Sequence, residues 1–230
     1  METFTEILAP HKEIIASVAG TLTVGQMFSG AFVCNDIRKK GSTKDFSVMP
    51  FLGGIILSIL FMKHALLLNA PEMLIPNLAG IGLSLIYTAF YYLYTPHGEG
   101  KSEFWKTSVK GIIFIGVLLA YAEFENAEVV EYRFGMFITF LLIGLIAMPL
   151  FSLGEIRRKK STEGLPFAMI LSGTGVSFSW LLYGFSIASE VVVIQNLIAF
   201  ILSAIQLSLF VIYPSTPSAI KTAKKSKKSN

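Results

Sequence analysis

The sequence predicts an all-α integral membrane protein with seven spanning helices: two parallel three-helix repeats joined by an inverting fourth helix, a 3 + 1 + 3 plan. Three observations carry this. The 230 residues are 53% hydrophobic and only 15% charged, whereas soluble domains carry about 25% charged residues. Apolar blocks about 20 residues long, the length that crosses a bilayer's hydrocarbon core, recur seven times along the chain. Finally, the chain resembles itself when shifted by 119 residues.

Taken in order, the blocks run Ile14–Cys34, Val48–Leu68, Met73–Tyr94, Trp105–Phe124, Phe134–Leu153, Leu165–Ile187 and Val191–Tyr213. The fourth is the least apolar, yet its Lys106, Lys110 and Glu123 lie near its ends, where long side chains reach the interface. Residues 1–13 lack the basic start and small-residue cleavage site of a signal peptide, so the first block is expected to remain as a span. The chain is thereby divided into an amino-terminal segment 1–13, a first repeat 14–94, a linker with the fourth span 95–133, a second repeat 134–213 and a basic tail 214–230.

Sixteen of the 19 Lys and Arg residues fall in the odd-to-even loops, at their borders or in the tail. Lys12, Lys63 and Arg133 alone oppose them. The positive-inside tendency then places the amino terminus outside or in a lumen and the tail in the cytosol. The net charge of +4 is explained by this topology; the chain shows no basic amphipathic face or base-stacking motif, so nucleic acid is not an expected partner. The single Cys34 cannot form an intramolecular disulfide, and no Asn-x-Ser/Thr acceptor occurs.

The 119-residue shift aligns Gly25–Tyr94 with Gly144–Tyr213 without a gap, and 17 of 70 pairs are identical. Shared apolar composition does not readily supply the polar matches: Arg38 with Arg157, Lys40 with Lys159, Ser42-Thr43 with Ser161-Thr162, and Asn77 with Asn196. A duplicated three-helix unit follows. A directly fused second copy would be inverted, and the fourth span restores its orientation. Parallel repeats of this kind are typical of transporters, whose halves rock about a site between them.

The stretches IRKKGSTKDFSVMPF and PNLAGIGLSLIYTAFYYLY, with IRRKKSTEGLPF, FSWLLYG and QNLIAFILSAIQLSLFVIYP, resemble the SWEET sugar transporters of animal type over nearly the whole chain. This resemblance implies passive, bidirectional movement of mono- or disaccharides, and formation of homo-oligomers. Asn77 and Asn196, at equivalent places in the third and seventh spans, each offer donors and an acceptor. Sugar hydroxyls need both, and an amide supplies them without the desolvation penalty of a buried ion. The plainer alternative is that each amide ties neighbouring helices together; the resemblance places family pocket asparagines at both positions.

Trp180 and Phe61 are also 119 residues apart. The resemblance implies that they line the sugar pocket, with Phe61 narrowing it toward hexoses; ordinary packing is the alternative. Pro50, Pro149 and Pro166 match three members of the family's proline hinge set, and Gly30 stands at the fourth. Pro50 and Pro166 also suit helix starts. The family's outer gate of a tyrosine and an acid falls near His64, Tyr183 and Glu190, and a His64–Glu190 contact would make closure sensitive to pH.

No acid is predicted near the bilayer midplane, where ion coupling would need one. Uniport without cofactor or metal is therefore expected, with sugar and the lipid bilayer as partners. The terminal KKSN resembles a cytosolic dilysine retrieval signal, leaving Golgi or endoplasmic reticulum residence open beside the plasma membrane. A PQ-loop amino-acid carrier would keep the fold but usually shows Pro-Gln dipeptides and a membrane acid. A receptor does not explain the repeat, and a membrane adaptor would carry no flux. His11, His64 and His97 are scattered, without a nucleophile–base pair or metal spacing, so no enzyme is expected.

Overall fold

The computed structural model describes residues 2–147, 158, 160–162, 165 and 167–213. Among them the chain forms α1 (Glu2–Leu8), α2 (Lys12–Met27), α3 (Gly30–Lys40), α4 (Met49–Leu67), α5 (Leu74–Leu93), α6 (Glu99–Phe124), α7 (Val130–Ala147), α8 (Phe167–Ser186) and α9 (Glu190–Ile212), with 3₁₀ turns at Ala9–His11 and Pro71–Met73. No strand occurs among the described residues. Seven helical segments are long and apolar enough to span a membrane, matching the seven blocks in the sequence. The fourth, α6, is an uninterrupted helix of 26 residues, about 39 Å long at 1.5 Å per residue.

The first span differs from expectation. Helix begins at Glu2 and runs to Lys40 with a break at Phe28–Ser29. Around that break the backbone bonds shorten to three-residue spacing: Phe28 N–H to the Gly25 carbonyl at 3.3 Å, Ser29 to Gln26 at 3.0 Å, Ala31 to Phe28 at 3.0 Å and Phe32 to Ser29 at 3.2 Å. Such tightening within a helix marks a bend.

The chain divides into two compact units, residues 10–138 and residues 1–9 with 139–230. In the first, α4 packs along α5, while α2, α3 and α6 add to that pair. Small residues permit close approach, as membrane helices require. A Cβ on Gly20 would lie 2.9 Å from Pro76 Cγ, and one on Gly54 would meet Ser84 Oγ at 2.5 Å. One end is filled by Cys34, Ile37, Val48, Phe51, Tyr91 and Phe104. The Tyr91 hydroxyl there donates to the Phe46 carbonyl at 2.8 Å, so burial of the ring leaves no polar atom stranded.

In the second unit, α8 and α9 pack closely; a Cβ on Gly184 would stand 2.9 Å from the Val193 backbone nitrogen. Thr139 Oγ1 donates to Gln195 Oε1 at 3.1 Å, and Gln206 Nε2 donates to the Ile146 carbonyl at 2.7 Å. The amino-terminal helix also belongs here. Thr5 Oγ1 donates to the Phe185 carbonyl at 2.9 Å, and Phe4 stacks obliquely on Phe185 with centroids 5.3 Å apart. Thus α1 covers a carbonyl at the end of α8, where helices leave acceptors unsatisfied.

The sequence repeat reappears in the backbone. Helix α4 ends with Ala70 N–H bonded to the Ala65 carbonyl at 3.0 Å and Asn69 N–H to Leu66 at 3.3 Å. Helix α8 ends with Ser189 N–H bonded to Gly184 at 3.1 Å and Ala188 N–H to Phe185 at 3.2 Å. Each member is 119 residues from its counterpart, and both ends form the same left-handed cap, with φ of 50° at Asn69 and 54° at Ala188. Gly41 and Lys160, likewise 119 residues apart, both take positive φ, 69° and 49°. The Gly20–Pro76 contact of one unit likewise corresponds to the Thr139–Gln195 bond of the other. A steric fit in one copy is a hydrogen bond in the second.

Candidate functional site

Asn77 lies in the first turn of α5 and Asn196 in the second turn of α9. They make the same bond. Asn77 Nδ2 donates to the Met73 carbonyl at 2.8 Å, and Asn196 Nδ2 donates to the Val192 carbonyl at 2.9 Å. Each amide therefore returns one N–H to its own helix, four residues back, and ties no neighbouring helix among the described residues. A carbonyl acceptor and a second N–H are left uncommitted in each. Asn77 is half-buried and Asn196 buried, so the amino-terminal parts of equivalent helices present matched, uncharged donor–acceptor groups.

The aromatic pair sits on the helices packed against these: Phe61 on α4 and Trp180 on α8, both half-buried. Trp180 is held edge-on by Tyr183, with centroids 5.3 Å apart and planes at 89°. One turn from each aromatic stand His64 and Tyr183, equivalent in the repeat and both fully buried. Glu190 is exposed at the start of α9. The carboxylate beside His64 is Glu131, from the first turn of α7, with Nε2 to Oε1 at 3.6 Å. Sequence reasoning proposed Glu190 for this role and missed Glu131, whose only signal was membership of the acidic run Glu123, Glu125, Glu128 and Glu131.

Among the hinge candidates, Pro50 occupies the first turn of α4. A missing N–H costs no helical bond there, so it serves as a helix starter. Gly30 opens α3 immediately after the break in the first span. The Tyr87 ring lies over it so closely that a Cβ would stand 2.5 Å from Cε2. Pro149 and Pro166 lie outside the described residues.

Charged pairs mark one end of the first unit. Lys12 meets Glu72 at 3.2 Å, Lys63 meets Glu123, and Arg133 meets Glu125 at 2.8 Å. Glu125, between α6 and α7, also accepts from the Asn126 backbone N–H at 3.0 Å and the Tyr121 hydroxyl at 2.9 Å. The Asn126 N–H foremost, then the Tyr121 hydroxyl and Arg133, hold its carboxyl below the usual carboxylate value. Among the described residues no group of His, Cys, Asp and Glu is arranged to hold a metal ion.

A family model described as a sugar efflux transporter for intercellular exchange matches the chain twice, over residues 13–99 and 132–218. These matches fall on the two repeats. The chain is 30% identical over 202 residues to Sugar transporter SWEET1 of Drosophila pseudoobscura pseudoobscura, covering 88% of this chain and 89% of that one. It is 24% identical over 200 residues to Sugar transporter SWEET1 of Mus musculus, covering 87% and 90% respectively. A solved eukaryotic SWEET transporter shares the fold with a TM-score of 0.78 at 22% identity, over 89% of this chain and 99% of that one. With the duplicated family match, the relatives aligned over most of their length and the seven-span fold, this chain belongs to the SWEET family, whose members are transporters and not enzymes.

Proposed function

We propose that the chain is a facilitative, bidirectional sugar uniporter, moving glucose-type hexoses down their gradient by alternating access. Both SWEET1 relatives are named as sugar transporters. The observation that carries the residue assignment is the matched geometry of Asn77 and Asn196: each spends one N–H on its own helix and keeps a donor and an acceptor for a hydroxylated ligand. Trp180 supplies a flat face for the C–H side of a pyranose. Phe61 occupies the equivalent place and restricts the cargo to monosaccharides. A site of two amides and one or two rings binds weakly, near millimolar or about −4 kcal/mol, which suits a carrier that must release its cargo.

Two features favour uniport and a defined topology. Every Asp and Glu in the described helices lies within the first or last five residues of its helix, whereas ion coupling usually uses an acid deep in the membrane. The basic loops and tail favour a cytosolic carboxyl terminus and an amino terminus outside or in a lumen. The reading includes residence in the plasma membrane or Golgi, a homo-oligomer in the bilayer, and bending at Gly30.

The test is radiolabelled glucose and sucrose exchange in liposomes carrying the purified chain. Asn77→Ala and Asn196→Ala each lower glucose exchange at least about tenfold, about 1.4 kcal/mol of lost stabilisation, while melting within a few degrees of the parent because each lost bond is internal to a helix. Phe61→Ala admits sucrose. Glucose exchange retained in both asparagine variants contradicts the site, and no sugar exchange from folded parent protein contradicts the transport reading.

A further inference from the structure

His64 presents a problem that sugar transport does not solve. Its ring is fully buried, and neither Nδ1 nor Nε2 has a hydrogen-bond partner; Glu131 Oε1, 3.6 Å from Nε2, is also buried and without one. Buried polar atoms are nearly always satisfied, so a buried imidazole and a carboxylate oxygen left 3.6 Å apart mark a pair that a change of state can close. The surrounding charges narrow which change that is. Beside His64 on α4, Lys63 is engaged by Glu123 of α6; in the turn leading to α5, Glu72 is engaged by Lys12 of α2. Helix α5 carries no charged side chain, and Arg133 of α7 is engaged by Glu125. At this end of the unit Glu72, Glu123 and Glu125 thus have permanent cations, and Glu131 has an imidazole.

We propose that His64 and Glu131 form a proton-binding site that makes the transport rate fall as the compartment facing this end is acidified. A proton bound to the ring gives an imidazolium whose Nε2–H donates to Glu131 Oε1, turning a long unbonded approach into a charge-assisted bond. Histidine is the side chain suited to such a change between about pH 5 and 8. The bond ties the last turn of α4 to the first turn of α7 inside the compact unit of residues 10–138. Carrying sugar across requires the spans to shift, and a bond that fixes α7 to α4 resists that shift, so protonation slows exchange. This consequence rests on the transport reading above; proton binding does not.

The experiment measures glucose exchange in oriented liposomes at pH 7.5 and 5.5 on each side separately, for the parent, His64→Gln and Glu131→Gln. Each protein is scored by the ratio of its own two rates. The parent slows at least about threefold when the side facing His64 is acidified, and both variants lose that response. A pH-independent parent, as expected were a bridging water present instead of a proton, overturns the proposal. So does a dependence that survives in both variants. If no sugar moves at either pH, the ring resonances of ¹⁵N-labelled His64 decide: a pH-dependent shift altered by Glu131→Gln sustains the proton site, and resonances fixed across the range overturn it.

Discussion

At the residue scale, the two copies of the repeat solve the same backbone problem with different side chains. The left-handed cap after α4 uses Asn69, a residue that tolerates positive φ, whereas the cap after α8 uses Ala188 at φ 54°. A left-handed L-residue with a plain side chain costs about 1–2 kcal/mol. Ala188→Asn is therefore expected to stabilise the protein by about 0.5–1 kcal/mol, seen as a higher melting temperature in detergent. Asn69→Ala shifts it in the opposite direction. Equal melting temperatures for all three proteins would contradict the claim that cap strain contributes to stability. Asn77 and Asn196 were legible as a pair because identity at a fixed offset survives in the sequence. The His64–Glu131 approach was not legible, since it joins residues 67 positions apart through packing that no periodicity encodes.

At the element scale, the seven spans could be read from length and hydropathy, because a helix surrounded by lipid must be apolar along most of its surface. Two features escaped that reading. The short helix α1 is too small to announce itself and is held by one hydroxyl and one ring against α8. The break at Phe28–Ser29 lacks a proline, and its support comes from Tyr87, far along the chain and lying over Gly30. Gly30→Ala forces the methyl group into that ring, an overpacking worth about 1–3 kcal/mol. The expected result is a lower melting temperature and slower sugar exchange. In a Tyr87→Ala background the same substitution costs much less, so a double-mutant cycle reports strong coupling. Additive effects of the two substitutions would show that Tyr87 does not constrain Gly30.

At the scale of the whole molecule, duplication explains what the chain does with so little equipment. Each copy contributes an asparagine, an aromatic residue one helix away and a buried side chain one turn further along. The copies differ where they need not be symmetric: Gly20–Pro76 in one corresponds to Thr139–Gln195 in the other, and His64 stands opposite Tyr183 in the alignment. On the proposed reading the carrier equilibrates its cargo, in keeping with the placement of every Asp and Glu of the described helices near a helix end. Glucose uptake to equilibrium in liposomes holding the parent protein tests this claim most directly, measured with proton and sodium gradients imposed and then collapsed. The account predicts that internal glucose rises to the external concentration and stops there under every gradient. Accumulation above the external concentration, driven by either gradient, would contradict it.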